Sequence, residues 1–160
     1  VPYVVTVDKT GAVIARDDLK GETSIPDRVV AADLGSFIMN LRLHTEDKDL
    51  YKKAFYSVFA HLKENTQALQ EVIDFYKAKD DRKDAYIHAE IMNILRISDQ
   101  VFQIDWCEKG SENTKRCLRS QLTYELQKPT TDPEALSLNP LSLKILRLDI
   151  SPLNAQAIAG

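Results

Sequence analysis

The chain has 160 residues, is 44% hydrophobic and 28% charged, and carries a formal net charge of −3. That composition suits one domain around one core and argues against the multi-phosphate contacts of a general nucleic-acid binder. Within these residues no apolar run approaches the ~20 needed to cross a bilayer. The two cysteines, Cys107 and Cys117, are too few for a disulfide scaffold and lack the partners of a zinc site.

The chain opens VPYVVTVDKTGAV without a methionine, a beginning expected of a processed chain or an excised soluble domain. Val4, Val5, Val7, Val13 and Ile14 favour strand, and Asp8-Lys9-Thr10-Gly11 between them carries turn residues, which predicts a hairpin. After the linker KGETSIPDR, Pro26 and Asp27 suit the first turn of a helix. From Arg28 to Leu43, Val30, Leu34, Phe37, Ile38 and Leu41 form one narrow apolar stripe. From Asp47 to Lys63, Leu50, Tyr51, Ala54, Phe55, Val58, Phe59 and Leu62 fill about half the helix circumference, predicting a second helix more buried than the first. A third helix, capped by Asn65 or Thr66, carries Leu69, Val72, Ile73 and Tyr76 as far as the charged run KAKDDRKD.

From Ala85 the pattern alternates. Ile87, Ala89, Ile91, Leu95 and Ile97 fall on one face of a long strand, with Tyr86, His88 and Glu90 on the other. Ser98-Asp99-Gln100 turns the chain into a strand carrying Phe102, Ile104 and Trp106. The loop EKGSENTKR leads to a third strand with Leu118, Leu122, Tyr124 and Leu126, completing an antiparallel meander. QKPTTDPEALSLNP reads as a polar connection, and Leu143 to Ile150 as a last strand whose alternation slips at Ile145 and Leu146, as at a bulge. The end, SPLNAQAIAG, reads as a frayed tail over residues 153–160.

A hairpin, three helices and an antiparallel sheet make an α+β layout with helices on one face. The order suggests a nuclear-transport-factor-two-like cone. The opening Val1, Pro2, Tyr3 through Gly11, and the late segment LSLNPLSLKI with Asn139 and Pro140, resemble the periplasmic domain of TrbF-type inner-membrane proteins of conjugative type IV secretion systems. That family also includes the VirB-eight type, and the resemblance extends over residues 1 to 152 as a single domain. Ser142 stands where the family usually has glycine, a departure that bears on any backbone there with positive φ.

The resemblance implies a non-enzymatic assembly component: the periplasmic domain of a protein with one membrane anchor ahead of Val1. It implies weak self-association and contact with other inner-membrane components. No cofactor, metal or direct nucleic-acid contact is expected, and the membrane is reached only through that anchor. The alternative is a small-molecule isomerase or hydrolase of the same cone fold. An enzyme requires an open apolar cavity with converging acid and base groups; a scaffold requires a filled core and an exposed apolar patch.

His88 and Glu90 point the same way from one strand, but no further close histidine completes a metal site or acid–base pair, so no catalytic residue is assigned. His44 and His61 read as structural, and Asn93, among apolar neighbours, as a buried amide or a pleat irregularity. Lys115, Arg116 and Arg119 form the densest basic cluster, read as a solvated hairpin tip, and Trp106 reads as core. Two expectations concern contacts. Cys107 and Cys117 sit on adjacent antiparallel strands in a register that permits a bridge, the alternative being two free thiols. Ala31, Gly35 and Met39 lie to one side of the first helix's core stripe, offering a shallow groove for another copy or partner, or for the second or third helix of the same chain.

Overall fold

The computed structural model describes the backbone of residues 3–7 and 13–18 and the whole of residues 25–78, 86–111 and 115–153. Val1, Pro2, the turn Asp8–Gly11, most of the run KAKDDRKD and residues 154–160 lie outside the described residues. The order is β1 (Tyr3–Val7), β2 (Val13–Asp18), α1 (Asp27–Arg42), α2 (Lys48–Ala60), α3 (Gln67–Ala78), β3 (Ile87–Ser98), β4 (Val101–Gly110), β5 (Lys115–Leu126), α4 (Pro133–Leu138) and β6 (Leu143–Pro152). β1 and β2 form the expected antiparallel hairpin, and β3-β4-β5-β6 form an antiparallel sheet in chain order.

The helices begin where local chemistry starts them. Pro26 precedes α1, where its missing N–H costs nothing, and Asp27 lies in the first turn. Asp47 caps α2 by accepting from the N–H groups of Asp49 and Leu50, both at 3.1 Å. Thr66 Oγ accepts from Leu69 N–H at 3.2 Å at the start of α3. α4 is a helix inside the stretch read as a polar connection; its signal is Asp132 at the cap, accepting from Glu134 N–H, with Pro133 in the first turn.

α1, not α2, is the most buried helix. It buries nine residues, among them Val30, Leu34, Phe37, Ile38 and Leu41, against only Ala54 and Val58 in α2. The reason is layering: the stripe of α1 lies directly on the sheet, meeting Ala89, Ile104, Trp106, Leu122 and Ile145 in one core. α2 stacks outside α1, so the wide apolar arc of α2 becomes a half-buried aromatic cluster. There Phe55 lies 4.7 Å from Phe59 and 5.1 Å from Tyr76 of α3 between ring centroids.

Two bulges set which sheet residues face the helices. In β6, Thr123 and Tyr124 of β5 pair with Arg147 and Ile145, leaving Leu146 as the extra residue where the sequence alternation slips. In β3 the register shifts between Ile91 and Asn93. Ile87, Ala89 and Ile91 face the helices before the shift, and the half-buried Ile94 and Arg96 after it. Leu95 and Ile97, expected on the face of Ile87, are therefore on the opposite face and exposed, because one inserted residue reverses every later side chain. Asn93 sits at the irregularity and is exposed.

Ser142 adopts φ +51°, so the turn before β6 keeps a left-handed residue although the position holds a side chain. Replacing Ser142 with glycine should relieve that conformation and raise stability by about 1 kcal/mol, read as a higher denaturant midpoint at unchanged slope. A second expectation concerns alkaline pH. Burial, and secondarily the neighbouring Tyr51, hold the Tyr76 phenol well above its ordinary pKa. A proton held more tightly in the folded state contributes stability that is complete below the unfolded value near 10 and is lost progressively as the pH rises beyond it. Denaturant titrations between about pH 8 and 11 should show this fall, and Tyr76→Phe should flatten it.

Candidate protein-interaction surface

The interior is filled. Trp106, Phe37, Leu34, Ile104, Leu122 and Leu148 are each at most 1% exposed, and Trp106 is core as expected. Four buried polar side chains, Arg42 with Glu108 and Asp33 with His61, pair with one another. Arg42, in the last turn of α1, forms a buried ion pair with Glu108 near the end of β4, and Trp106 Nε1–H donates to the same carboxylate at 3.2 Å. The Arg42 guanidinium also lies over the Phe75 ring, 4.6 Å from its centroid. Sequence reading had placed Glu108 in a hairpin loop; only the length of β4 carries it inside.

His61, just past α2, makes the second buried cluster. Its Nδ1 lies 2.7 Å from the Ser57 carbonyl, which only accepts, so that nitrogen carries a proton. Its Nε2 lies 3.1 Å from Asp33 Oδ2 on α1. The His61 carbonyl meanwhile accepts from Ile145 N–H of β6 at 2.8 Å. This histidine ties α1, α2 and β6 together and is 4% exposed.

The residues weighed for chemistry do not converge. His88 stacks on Tyr86 with 6.4 Å between ring centroids and is exposed, and Glu90 lies 3.6 Å from the exposed Lys109 ammonium. Among the described residues, no three His, Cys, Asp or Glu side chains are grouped to hold a metal. The basic cluster is partly neutralised: Arg119 donates to both Asp105 oxygens, at 2.8 and 3.0 Å, and Arg116 stands opposite Glu108 in the strand register.

Cys107 and Cys117 are directly opposed on β4 and β5, 4.0 Å apart between Cα atoms, and joined by a disulfide. Both are buried although they project from the face turned away from the helices. Asn139, from the Asn-Pro motif, is also buried. Its amide donates to the Ala60 carbonyl at 3.1 Å and the Leu143 carbonyl at 2.7 Å, and its oxygen accepts from Leu143 N–H at 3.1 Å. The motif thus closes the C-terminus of α2 onto the start of β6, with Pro140 buried beside it.

The groove at Ala31, Gly35 and Met39 is not free. Gly35 is buried against β3 of its own chain, and a Cβ built there would stand 3.3 Å from Ile94 Cδ1 and 4.0 Å from Ile91 Cγ1. The strand fills the groove, rather than the second or third helix. Ala31 packs on the same core, and only Met39, 40% exposed, reaches solvent. An exposed apolar strip lies on the outer face of β3, where Met92, Leu95 and Ile97 are 59%, 51% and 48% exposed at the edge of the sheet; Leu50 and Tyr56 of α2 are exposed to a similar degree. Unbroken alternation puts Leu95 and Ile97 on the face of Ile87 and so hides this strip; the register shift next to Asn93, where the pattern allows a pleat irregularity, exposes it.

Gly35→Arg should therefore cost the fold, by about 3 kcal/mol or more, since an ion would be forced between α1 and β3. Gly35→Ala should change stability by less than about 1 kcal/mol, because gained helix propensity offsets the small displacement of Ile94. Melting curves of the two variants test this pair of expectations.

The sequence pattern of the VirB8 protein family matches residues 1–152. The conjugal transfer protein TrbF of Rhizobium radiobacter is 30% identical over 157 residues, covering 93% of this chain and 71% of TrbF. The soluble domain of TrwG from the Bartonella grahamii type IV secretion machinery superposes with a TM-score of 0.67 at 13% identity, covering 82% of this chain and 98% of that one. Agrobacterium tumefaciens VirB8 superposes with a TM-score of 0.64 at 13% identity, covering 84% of this chain and 99% of that one. The helices on a four-stranded antiparallel sheet are thus the VirB8-like, nuclear-transport-factor-two-like fold, and the chain belongs to the VirB8 family as a structural, non-enzymatic component of type IV secretion.

Proposed function

We propose that this domain works on the periplasmic side of the inner membrane, held there by an anchor ahead of Val1, and that it scaffolds the secretion machine through weak contacts with copies of itself and with other inner-membrane components. No described helix is long and apolar enough to cross a membrane. Anchoring makes weak contacts sufficient, because tethered copies meet at a high effective concentration.

The observation that carries this reading is the pairing of a filled interior with an exposed apolar strip on β3. Among the described residues, Met92, Leu95 and Ile97 lie outside the buried core and β3 is an edge strand of its sheet. Met39, 40% exposed on α1, is a separate exposed apolar side chain on the helix side of the sheet. Flexible methionines suit a surface that adapts to more than one partner.

Leu95→Glu tests the reading directly. Leu95 is half exposed, so the change should leave the circular dichroism and melting temperature nearly unchanged while abolishing self-association in sedimentation at high concentration. An unchanged association constant would place the contact elsewhere.

A further inference from the structure

The two edges of the sheet end differently. On β6 the Ile145 N–H donates to the His61 carbonyl at 2.8 Å, and Leu148 exchanges both main-chain groups with the Gln67 side chain, at 2.7 and 2.9 Å. That edge is closed by the start of α3 and by the residue just past α2. On β3, Ile87 is closed by two main-chain hydrogen bonds with His44, at 2.8 and 3.0 Å. The strand register shows which groups stay open further along. The Cys117 carbonyl accepts from Leu153 N–H, on the β6 side, so Cys107 opposite it turns its main-chain groups to β3, as do Asp105 and Gln103 at the same alternation. Asn93 and Leu95, opposite Asp105 and Gln103, therefore bond β4, and Ile94 and Arg96 turn their N–H and C=O groups away from the sheet. Among the described residues nothing bonds these four main-chain groups.

We propose that this stretch of β3 takes up a short, extended, uncharged segment of a partner protein as an added strand. The inference rests on the scaffolding reading above, in which β3 is a contact surface, and names the kind of partner. Open main-chain groups at alternate residues are matched by the alternate groups of another strand, and the register shifts on either side, at Ile91/Asn93 and Arg96/Ser98, limit the contact to a few residues. The charge within it, Arg96, is held by Asp27 through two 2.9 Å hydrogen bonds, so the occupant needs no counter-charge there, while Met92, Leu95 and Ile97 offer apolar contact on the outer face. A second copy fits less well. α1 lies lengthwise over β3, from Asp27 at Arg96 to Gly35 at Ile94 and Ile91. An antiparallel β3 from another copy would bring its own α1 onto the same face ~5 Å away, against the roughly 8–10 Å that packed helices need. The three half-exposed side chains also offer only a few hundred Å², well short of the ~800 Å² per partner of a stable dimer.

The test is amide hydrogen exchange of the whole chain with acetyl-Thr-Val-Thr-Val-Thr-amide at millimolar concentration. The Ile94 and Arg96 amides should exchange at least about 5-fold more slowly, saturably with peptide, while those of Asn93 and Leu95, already bonded to β4, should not change. The same peptide methylated at every main-chain nitrogen keeps its side chains but loses its donors, and should give no protection. Equal protection by the methylated peptide would overturn the proposal in favour of side-chain contact alone. Protection that appears on concentrating the protein without peptide would make a second copy the occupant, and no protection up to tens of millimolar peptide would also overturn the proposal. Sedimentation of the same samples separates it from the reading it rests on. Self-association without peptide protection overturns strand addition alone; peptide protection in a chain that stays monomeric supports strand addition and overturns the contact between copies.

Discussion

The crossing of α1 over β3 is the constraint on which the rest of the domain depends. α1 sits close because Gly35 presents no side chain, and Ile91 and Ile94 fill the space on either side of a one-residue insertion in the strand. That insertion reverses the facing of β3 halfway along, so its first half feeds the core and its second half turns Leu95 and Ile97 to solvent. Arg96, brought to the helix side by the same slip, reaches the start of α1 with two 2.9 Å hydrogen bonds to Asp27, and bonds the Tyr124 hydroxyl. One irregularity thereby fixes the angle of the first helix, closes the core at that end and leaves an apolar edge outside.

The polar interior serves the same rigidity. Arg42–Glu108 ties the end of α1 to β4, and Asp33–His61 ties the middle of α1 to the junction of α2 and β6. Breaking one partner of such a buried pair leaves an uncompensated charge, which makes these clusters unforgiving of change. Among the described residues, the buried Asp33, Arg42, His61 and Glu108 side chains are each engaged with another part of the fold. The interior beside these pairs is occupied by Trp106, Phe37 and the aliphatic side chains around them.

Much of this was legible in the sequence because it is local. Helix starts followed from Pro26, Asp47 and Thr66, the meander from alternation around Phe102, Ile104 and Trp106, and the β6 bulge from the slip at Leu146. The opposition of Cys107 and Cys117 was legible as a register, since two strands joined by one short loop can pair in few ways. The short helix α4 was legible in principle, its Asp-Pro-Glu start being a cap signal lost among prolines and polar residues.

What the sequence determined by itself was therefore the elements other than α4, their order and the family. What only the tertiary structure decided was which faces meet. An apolar arc on α2 reads as deeply buried until α1 takes the position on the sheet, and a glycine beside a core stripe reads as an open groove until β3 occupies it. Glu108 reads as a loop acid until β4 extends far enough to bring it under Arg42. Periodicity reports that a side chain is apolar and which neighbours share its face, but a single inserted residue, or a choice between two competing helices, reverses what that face touches. Both are settled by packing across residues far apart in the chain.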